Sequence, residues 1–458
     1  MTEVPRSFTP KPLPDGYFGR RSLANLAVDL RARRISSSDL ISIAIDEAER
    51  SQSTINAFVT IDGAGARAAA AMADRELAAG VDRGPLHGVP VAVKDMIDVR
   101  GLPTTAGSLH FVNRIADRDA DCVGRLRRAG AILIGKTTTH EFANGSTGDR
   151  AVTGPTSNPH ALGHMSGGSS SGSAAAVAAG VVPAALGTDT GGSVRIPAAC
   201  CGVVGIRPTQ AAISTRGVLP LASSMDTVGV LARRAADAHV VLSALIHDFP
   251  PPAEQASVAD VRVRWISPRS IHLTQSSITR SARDLVAPFL TDEIDIHGAD
   301  DLRFSYRVIQ GREAHAVHAE RLRLATELYD PEVRERLEMG GAYTDSQLSQ
   351  AIAIREQFRV DIAQLLKTVD FIALPTIPIS APPLFSRRVN VEDQTADVPT
   401  GLLSLTAPWS LIGLPAVSIP AADVDGLPVG LQLVGHPHTE ADLLSFAAQL
   451  ETRQLLDS

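Results

Sequence analysis

Gly130-Ala131-Ile132-Leu133-Ile134-Gly135-Lys136-Thr137 can be read in two ways, and the choice decides the fold. Letter for letter it satisfies GxxxxGK[ST], the spacing of a phosphate-binding loop. Such a loop must turn successive backbone N–H groups toward an anion. Here Ala, Ile, Leu and Ile fill the intervening positions, an apolar run that suits a buried strand. No separate strand precedes it, because Arg125 to Ala129 continues a helical pattern beginning near Asp119. The ATP-binding reading therefore ranks last, and the segment is predicted as a core strand entered from a helix.

Outward from that strand the same alternation recurs. Val89 to Val93 and Val181 to Leu186 are short apolar runs of strand character, with loops marked by Gly101, Pro103 and Gly107. Strands alternating with helices predict an α/β layered fold. Before them lie helical patterns at Leu23-Leu26-Ala27-Leu30 and at Leu40-Ile41-Ala44-Ile45, the second behind a Ser36-Ser37-Ser38 start signal. A third helix, Ala64 to Ala79, ends at Gly80. From about 245 to 365 charge increases, and Arg312 to Leu328 and Asp345 to Leu366 are predicted as amphipathic helices, so this region is expected to be a variable helical insertion or subdomain. Strand-like sequence returns at Phe371 to Leu374, Ala416 to Ile419 and Val429 to Val434, and a last helix runs from about Glu440 to Gln449. Residues 1–18 are expected as an extended arm, and 19–458 as one domain whose sheet draws on both halves of the chain.

Bulk properties exclude several functions. The 458 residues carry a formal net charge of -7, with 44% hydrophobic, 20% charged and 4% aromatic residues. No basic stretch could neutralise a row of phosphates, so nucleic acid is not an expected partner. No apolar run is long enough to span a bilayer, and residues 1–23 show no apolar targeting core, so no membrane association is expected. Three cysteines, Cys122, Cys200 and Cys201, do not make a disulfide framework and fit a reducing compartment, the cytoplasm. No Cys/His spacing suggests a metal site. His140, His160 and His164 are expected as turn and surface residues.

Two further Gly-bearing segments carry chemistry. Gly167-Gly168-Ser169-Ser170-Ser171-Gly172-Ser173 leads into an Ala-rich helix closed by Gly180. It is either a flexible loop or a helix start where hydroxyls meet free N–H groups and the positive end of the helix dipole. Gly187-Thr188-Asp189-Thr190-Gly191-Gly192-Ser193-Val194-Arg195-Ile196-Pro197 follows a predicted strand. Its consecutive glycines form either a plain tight turn or a path that aims N–H groups at one point beside the Ser193 hydroxyl, as an oxyanion site requires. No G-x-S-x-G elbow surrounds that serine. A nucleophilic serine needs a base, and no histidine stands out. Lys94, at the end of the apolar run 89–93, is a candidate because burial disfavours its charged form. The ordinary alternative is a lysine paired with Asp95 at the surface.

Taken together these strings resemble the amidase-signature family: GPLHGVPVAVKD (84–95), GKTTTHEFANGSTG (135–148), GPTSNP (154–159), GGSSSGSAAAVAAG (167–180) and GTDTGGSVRIPAACCGVVGIRPT (187–209), with ALPTIPISAPP (373–383) and GLPVGLQLVG (426–435) behind them. The resemblance spans roughly 20–240 and 365–450 and is weak between. It implies an α/β fold with a central mixed, twisted sheet covered by helices on both faces. It also implies a Ser-cisSer-Lys triad: Ser193 the nucleophile, Ser169 the bridging serine behind a cis peptide bond, Lys94 the base. Thr190, Gly191, Gly192 and Ser193 match the oxyanion-hole backbone, and Ala143 a position whose carbonyl meets the substrate.

The implied function is hydrolysis of a carboxamide to a carboxylate and ammonia or an amine through an acyl-enzyme, with no metal or organic cofactor. The partner is a small-molecule amide, and a homodimer is the oligomer the resemblance suggests. Asp189 and Arg195 are read as a pair holding the turn, with substrate carboxylate binding the alternative role for Arg195. Two rival functions stand behind the amidase: the glutamine-hydrolysing subunit of an amidotransferase, which residues 210–217 resemble only loosely, and a catalytically silent interaction protein. The region 245–365 and the loop 385–410 leave the substrate open.

Overall fold

The computed structural model describes residues 15–252 and 261–457. Of the arm expected over 1–18, residues 1–14 lie outside the described residues. Tyr17–Arg20 is a 3₁₀ turn rather than extended chain. It is tied down where Gly16 N–H donates to Ala179 O at 2.9 Å and Phe18 N–H to Gly180 O at 3.0 Å, which buries the Phe18 ring.

The first helices form where capping and periodicity agree. Ser36 accepts from Asp39 N–H, and the Asp39 carboxylate returns to Ser36 N–H, a reciprocal cap that starts the helix Ser37–Ile55. Its Leu40, Ile41, Ala44, Ile45 and Ala48 form the buried stripe. Asp62 caps the helix Gly63–Ala78, and Gly80 beyond it takes a positive φ.

The strands follow the apolar runs. In the first half of the chain they are β1 (Phe58–Ile61), β2 (Pro90–Lys94), β3 (Ile132–Thr137), a small ribbon of β4 (Ser157–Asn158) and β5 (Ala161–Met165), then β6 (Ala184–Asp189), β7 (Val204–Arg207) and β8 (Thr227–Ala232). The second half adds β9 (Val263–Ile266), β10 (Leu290–Ile294), β11 (Phe371–Pro375), the ribbon β12 (Arg388–Val391) and β13 (Gln394–Asp397), then β14 (Ala416–Pro420) and β15 (Gly430–Val434). Among the described residues eleven of these form one sheet, in the order β1-β3-β2-β6-β8-β7-β14-β15-β11-β9-β10. The sheet is mixed: β2 runs parallel to β3 and β6, whereas β6–β8, β7–β14 and β14–β15 are antiparallel. Helices flank it, and one continuous apolar core joins them to the central strands.

The expected insertion at 245–365 is not purely helical. It contributes β9 and β10, which extend the main sheet beyond β11. The helices there are Ser276–Val286, Ala299–Leu324, Pro331–Ala342 and Asp345–Leu366. Among the described residues, no helix is long and apolar enough to cross a membrane.

The segment 130–137 forms β3, with every residue of Ile132–Thr137 buried. A side chain at Gly135 would overlap the carbonyl oxygen of Thr60 on β1, so glycine serves strand packing there, not anion binding. Lys136 is spent inside the fold, on Asp95 Oδ1 at 2.9 Å, Thr104 Oγ1 at 2.9 Å and the Pro103 carbonyl at 3.0 Å.

Candidate active site

Lys94 closes β2 with its side chain wholly buried. Asp95 does not pair with it, because that carboxylate takes Lys136 and the Thr105 N–H and hydroxyl. Lys94 Nζ instead lies 2.7 Å from Ser169 Oγ and 2.7 Å from Thr188 Oγ1. Burial drives its pKa down against the pull of Asp189 and Asp226, to about 7. An amine that ordinarily carries a proton is thus poised to lose one near neutrality.

Ser169 reaches that lysine from the second Gly-bearing segment. The Gly168–Ser169 peptide bond is cis. Ser169 O accepts from His140 N–H at 3.1 Å. The helix Ser171–Ala178 begins directly behind it. Ser170 and Ser171 act as supports: Ser170 Oγ donates to Thr188 O at 3.2 Å, and Ser171 Oγ donates to Thr138 O at 3.3 Å.

Ser193 sits on the turn after β6. Its carbonyl accepts from Ser170 N–H at 3.1 Å, which locks the turn to the residue next to Ser169. Ser193 keeps 5% of its surface exposed, whereas Ser169 has none, so of the two hydroxyls Ser193 faces the solvent side. Asp189 builds the turn by accepting from Gly192 N–H at 2.9 Å and Val194 N–H at 3.1 Å. The Gly192 amide is therefore engaged within the turn rather than free for an oxyanion. Gly191 N–H and Ser193 N–H have no acceptor among the described residues. Gly192 has φ +134°, and a Cβ on it would overlap Thr406 Oγ1; one on Gly191 would overlap the Tyr306 hydroxyl. Only glycine fits at either position.

Asp189 is itself held by two buried guanidiniums, Arg195 (Nη2 at 2.9 Å, Nε at 3.1 Å) and Arg207 (Nη1 at 3.1 Å). Burial alone would push its carboxyl up; the two arginines outweigh that and hold it well below the usual carboxylate range. Arg195 also donates to Gln432 Oε1 at 2.6 Å and Ser410 Oγ at 2.6 Å. With no exposed surface and every direction occupied, it is a structural partner of Asp189, not a group for a substrate carboxylate.

In front of Ser193 lies a cavity of about 500 Å³. Thr190, Ser193 and Ala143 line it, whereas Lys94, Ser169, Gly191 and Gly192 are not among its lining residues. Thr190 is fixed through its hydroxyl, which donates to Asp226 Oδ1 at 2.5 Å. Phe142 and Ala143 both adopt positive φ, 51° and 58°, in a tight loop that presents Ala143 to the cavity. His140, expected at the surface, is wholly buried beneath this loop, and burial lowers its pKa to about 3. The three cysteines are free and buried, consistent with packing roles.

Thr188, Arg207, Asp226, Tyr306, Thr406 and Gln432 are site residues that sequence reasoning did not single out. Arg207 left one signal, a charge at the end of the apolar run Val203-Val204-Gly205-Ile206, where a buried cation needs a buried anion.

A family model described as Amidase matches residues 39–293 and 302–444. A glutamyl-tRNA(Gln) amidotransferase subunit of Roseiflexus castenholzii is 36% identical, over 90% of this chain and 91% of that protein. Among solved structures, one described as an amidase superposes with a TM-score of 0.87 at 36% identity, covering 94% of this chain and 100% of the other. The peptide amidase of Stenotrophomonas maltophilia superposes with a TM-score of 0.80 at 26% identity, covering 95% and 97%.

Proposed function

The chain belongs to the amidase family, and on that footing we propose that it hydrolyses a carboxamide by way of Ser193, Ser169 and Lys94. The observation that carries this reading is the buried Lys94–Ser169 contact of 2.7 Å beside a Ser193 that lines the cavity.

The route is a proton relay. Neutral Lys94 accepts the Ser169 hydroxyl proton as Ser169 accepts the proton of Ser193. Ser193 Oγ bonds to the amide carbon, and the carbonyl π pair moves onto oxygen. The free Gly191 and Ser193 N–H groups, beside the Thr190 backbone, stabilise that oxyanion; Gly192 shapes the turn through Asp189. When the C–N bond breaks, the relay returns its proton to the leaving nitrogen, which departs as ammonia or amine. Water then attacks the acyl-Ser193 ester by the same relay, releasing a carboxylate. Side chains, substrate and water account for every proton, so the route needs neither metal nor organic cofactor. Thr188 gives Lys94 a second hydrogen-bond partner, which fixes the amine opposite Ser169.

Ammonia release from a panel of carboxamides tests this. Wild type should be active. Ser193→Ala and Lys94→Ala, both folded by circular dichroism, should lose on the order of 10⁴–10⁶ in kcat. Ammonia release that survives Ser193→Ala would overturn the nucleophile assignment.

A second reading has its own support in the 36% identity to a glutamyl-tRNA(Gln) amidotransferase subunit. In it the same chemistry hydrolyses glutamine inside a larger assembly. Wild type that is silent alone on every amide, glutamine included, but releases ammonia once amidotransferase partner subunits are added would favour that reading.

A further inference from the structure

One wall of the cavity that Ser193 lines is built largely from the helix Ala299–Leu324. Arg303, Tyr306, Arg307 and Gln310 recur at three- and four-residue spacing and share one helix face turned to the cavity. Tyr306 reaches the Gly191 turn, so this face adjoins the reacting atoms. Arg336 lines the same cavity from the helix Pro331–Ala342, which packs directly against the first.

The charges on this wall do not balance. Three arginines and a single carboxylate, Asp300, line the cavity. In a chain of net charge -7 that is a local reversal of sign. Arg303 is satisfied: it pairs with Asp300 and donates to Ile271 O at 2.7 Å. Arg336 donates to Asn144 O at 2.7 Å and lies 3.6 Å from Glu332. It shares that carboxylate with Arg150 and Arg387. Arg307 has no hydrogen-bonding, ionic or ring partner among the described residues. The fold thus places one uncommitted guanidinium and one partly committed one around a cavity whose lone carboxylate is already spoken for.

Building on the amide-hydrolysis reading, we propose that the substrate is an anionic amide: its far end carries a carboxylate held by Arg307 and Arg336, and no ammonium group. A guanidinium presents a planar fork that takes a carboxylate in two parallel hydrogen bonds. An α-ammonium would find no free carboxylate on this wall and two cations near it. The inference therefore separates a monoanionic amide from glutamine, which carries both charges.

The experiment compares succinamate, glutaramate and adipamate with butanamide, pentanamide and hexanamide, their partners lacking the carboxylate, and with glutamine, which is glutaramate bearing an α-ammonium. For at least one chain length, kcat/KM should favour the anionic member at least 10-fold, chiefly through KM, and glutaramate should exceed glutamine. Arg307→Gln should shrink the anionic-to-neutral ratio by about 10- to 100-fold, the range expected for a hydrogen-bonded charge pair. Equal rates within every pair, a preference for glutamine, or an Arg307→Gln loss shared equally by both members would overturn the proposal. Ser193→Ala separates this outcome from failure of the hydrolytic reading. Activity abolished in Ser193→Ala without any anionic preference sinks only the substrate class. If wild type cleaves none of these amides, the hydrolytic reading fails on this panel, and calorimetry with glutarate on the Ser193→Ala protein decides the rest. Binding that Arg307→Gln removes supports the anion site, and no binding overturns it.

Discussion

A buried amine resists carrying a proton, and at Lys94 that reluctance acts on both rate and stability. With its pKa lowered by burial to about 7, kcat should rise with pH through about 7 and then level off, since only the neutral amine accepts a proton. A pH–rate profile flat from acid to base would remove Lys94 as the base. Lys94→Arg should be inactive at every pH, because a guanidinium stays protonated. The stability effect has a definite sign. Between the folded value near 7 and the ordinary lysine value of 10.5, the unfolded chain binds the proton that the folded chain refuses. In that window Lys94 makes stability rise with pH, by up to ~1.4 kcal/mol per pH unit. Below about 7 its cost is complete and constant. Glu141 works in a lower window: burial raises its carboxyl to about 7, so its contribution fades as pH climbs from the ordinary carboxylate range toward 7. Denaturant melts of wild type and Lys94→Met, taken at several pH values, isolate the lysine. Wild type should gain on the variant from about pH 7 upward, and parallel curves would refute the assignment.

Elements carry constraints that no single side chain shows. The helices Ala299–Leu324 and Pro331–Ala342 meet backbone to backbone, and a Cβ on Gly340 would overlap the carbonyl of Gly311. Gly340→Ala must push the pair apart. The expected cost is about 1–3 kcal/mol, with a lowered Tm and a raised KM, since Arg307 and Arg336 ride on these two helices; an unchanged melt would mean that the pair tolerates separation. The turn after β6 depends on a different device, the buried Asp189 carboxylate. Asp189→Ala would strand Arg195 and Arg207 without their anion and should cost about 3–5 kcal/mol, read by chemical denaturation. Sequence reading finds these elements unevenly. β2, β3, β6, β11, β14 and β15 are legible because central strands read as apolar runs. β9 and β10 are not: Arg264, Asp292 and Glu293 give this end of the sheet a polar texture that resembles a helical insertion. The helix that starts at Ala299 is expected only from Arg312, because Asp300, Asp301 and Arg303 blur the stripe of its first turns. At the site, Lys94, Ser169 and Ser193 are legible from ordered local motifs. Arg207 to Asp189, Arg195 to Gln432 and Tyr306 to Gly191 are not, since each contact joins segments that no local pattern relates.

The whole molecule explains why the motifs of the first half do not suffice for a site. All three residues of the proposed relay lie before residue 200, yet the sheet that carries them is closed by β14 and β15, which sit between β7 and the β11-β9-β10 edge. The late chain holds the turn from behind, through β15 and the short helix Ala407–Leu411 with its cap Thr406. Gln432 on β15 takes Arg195, Ser410 reaches both Arg195 and Asp189, and Thr406 Oγ1 donates to Gly191 O at 2.7 Å. A chain ending at residue 365 would therefore keep the relay residues and the Asp189–Arg195 pair but lose Gln432, Ser410 and the Thr406 carbonyl as partners of Arg195, three strands of the sheet and the helix Glu440–Asp457 that packs behind β14. β9 and β10 would then have no sheet to join, and β7 would expose a central strand edge, an invitation to aggregate. Such a truncation should yield insoluble protein or a chain without a cooperative melting transition, not a weakened enzyme. A soluble, cooperatively melting and active product from residues 1–365 would mean that the signature half folds as its own unit. That result would assign the chain after residue 365 to stability alone, whereas the contacts of Thr406, Ser410 and Gln432 to the Asp189 turn and Arg195 place it in the construction of the site.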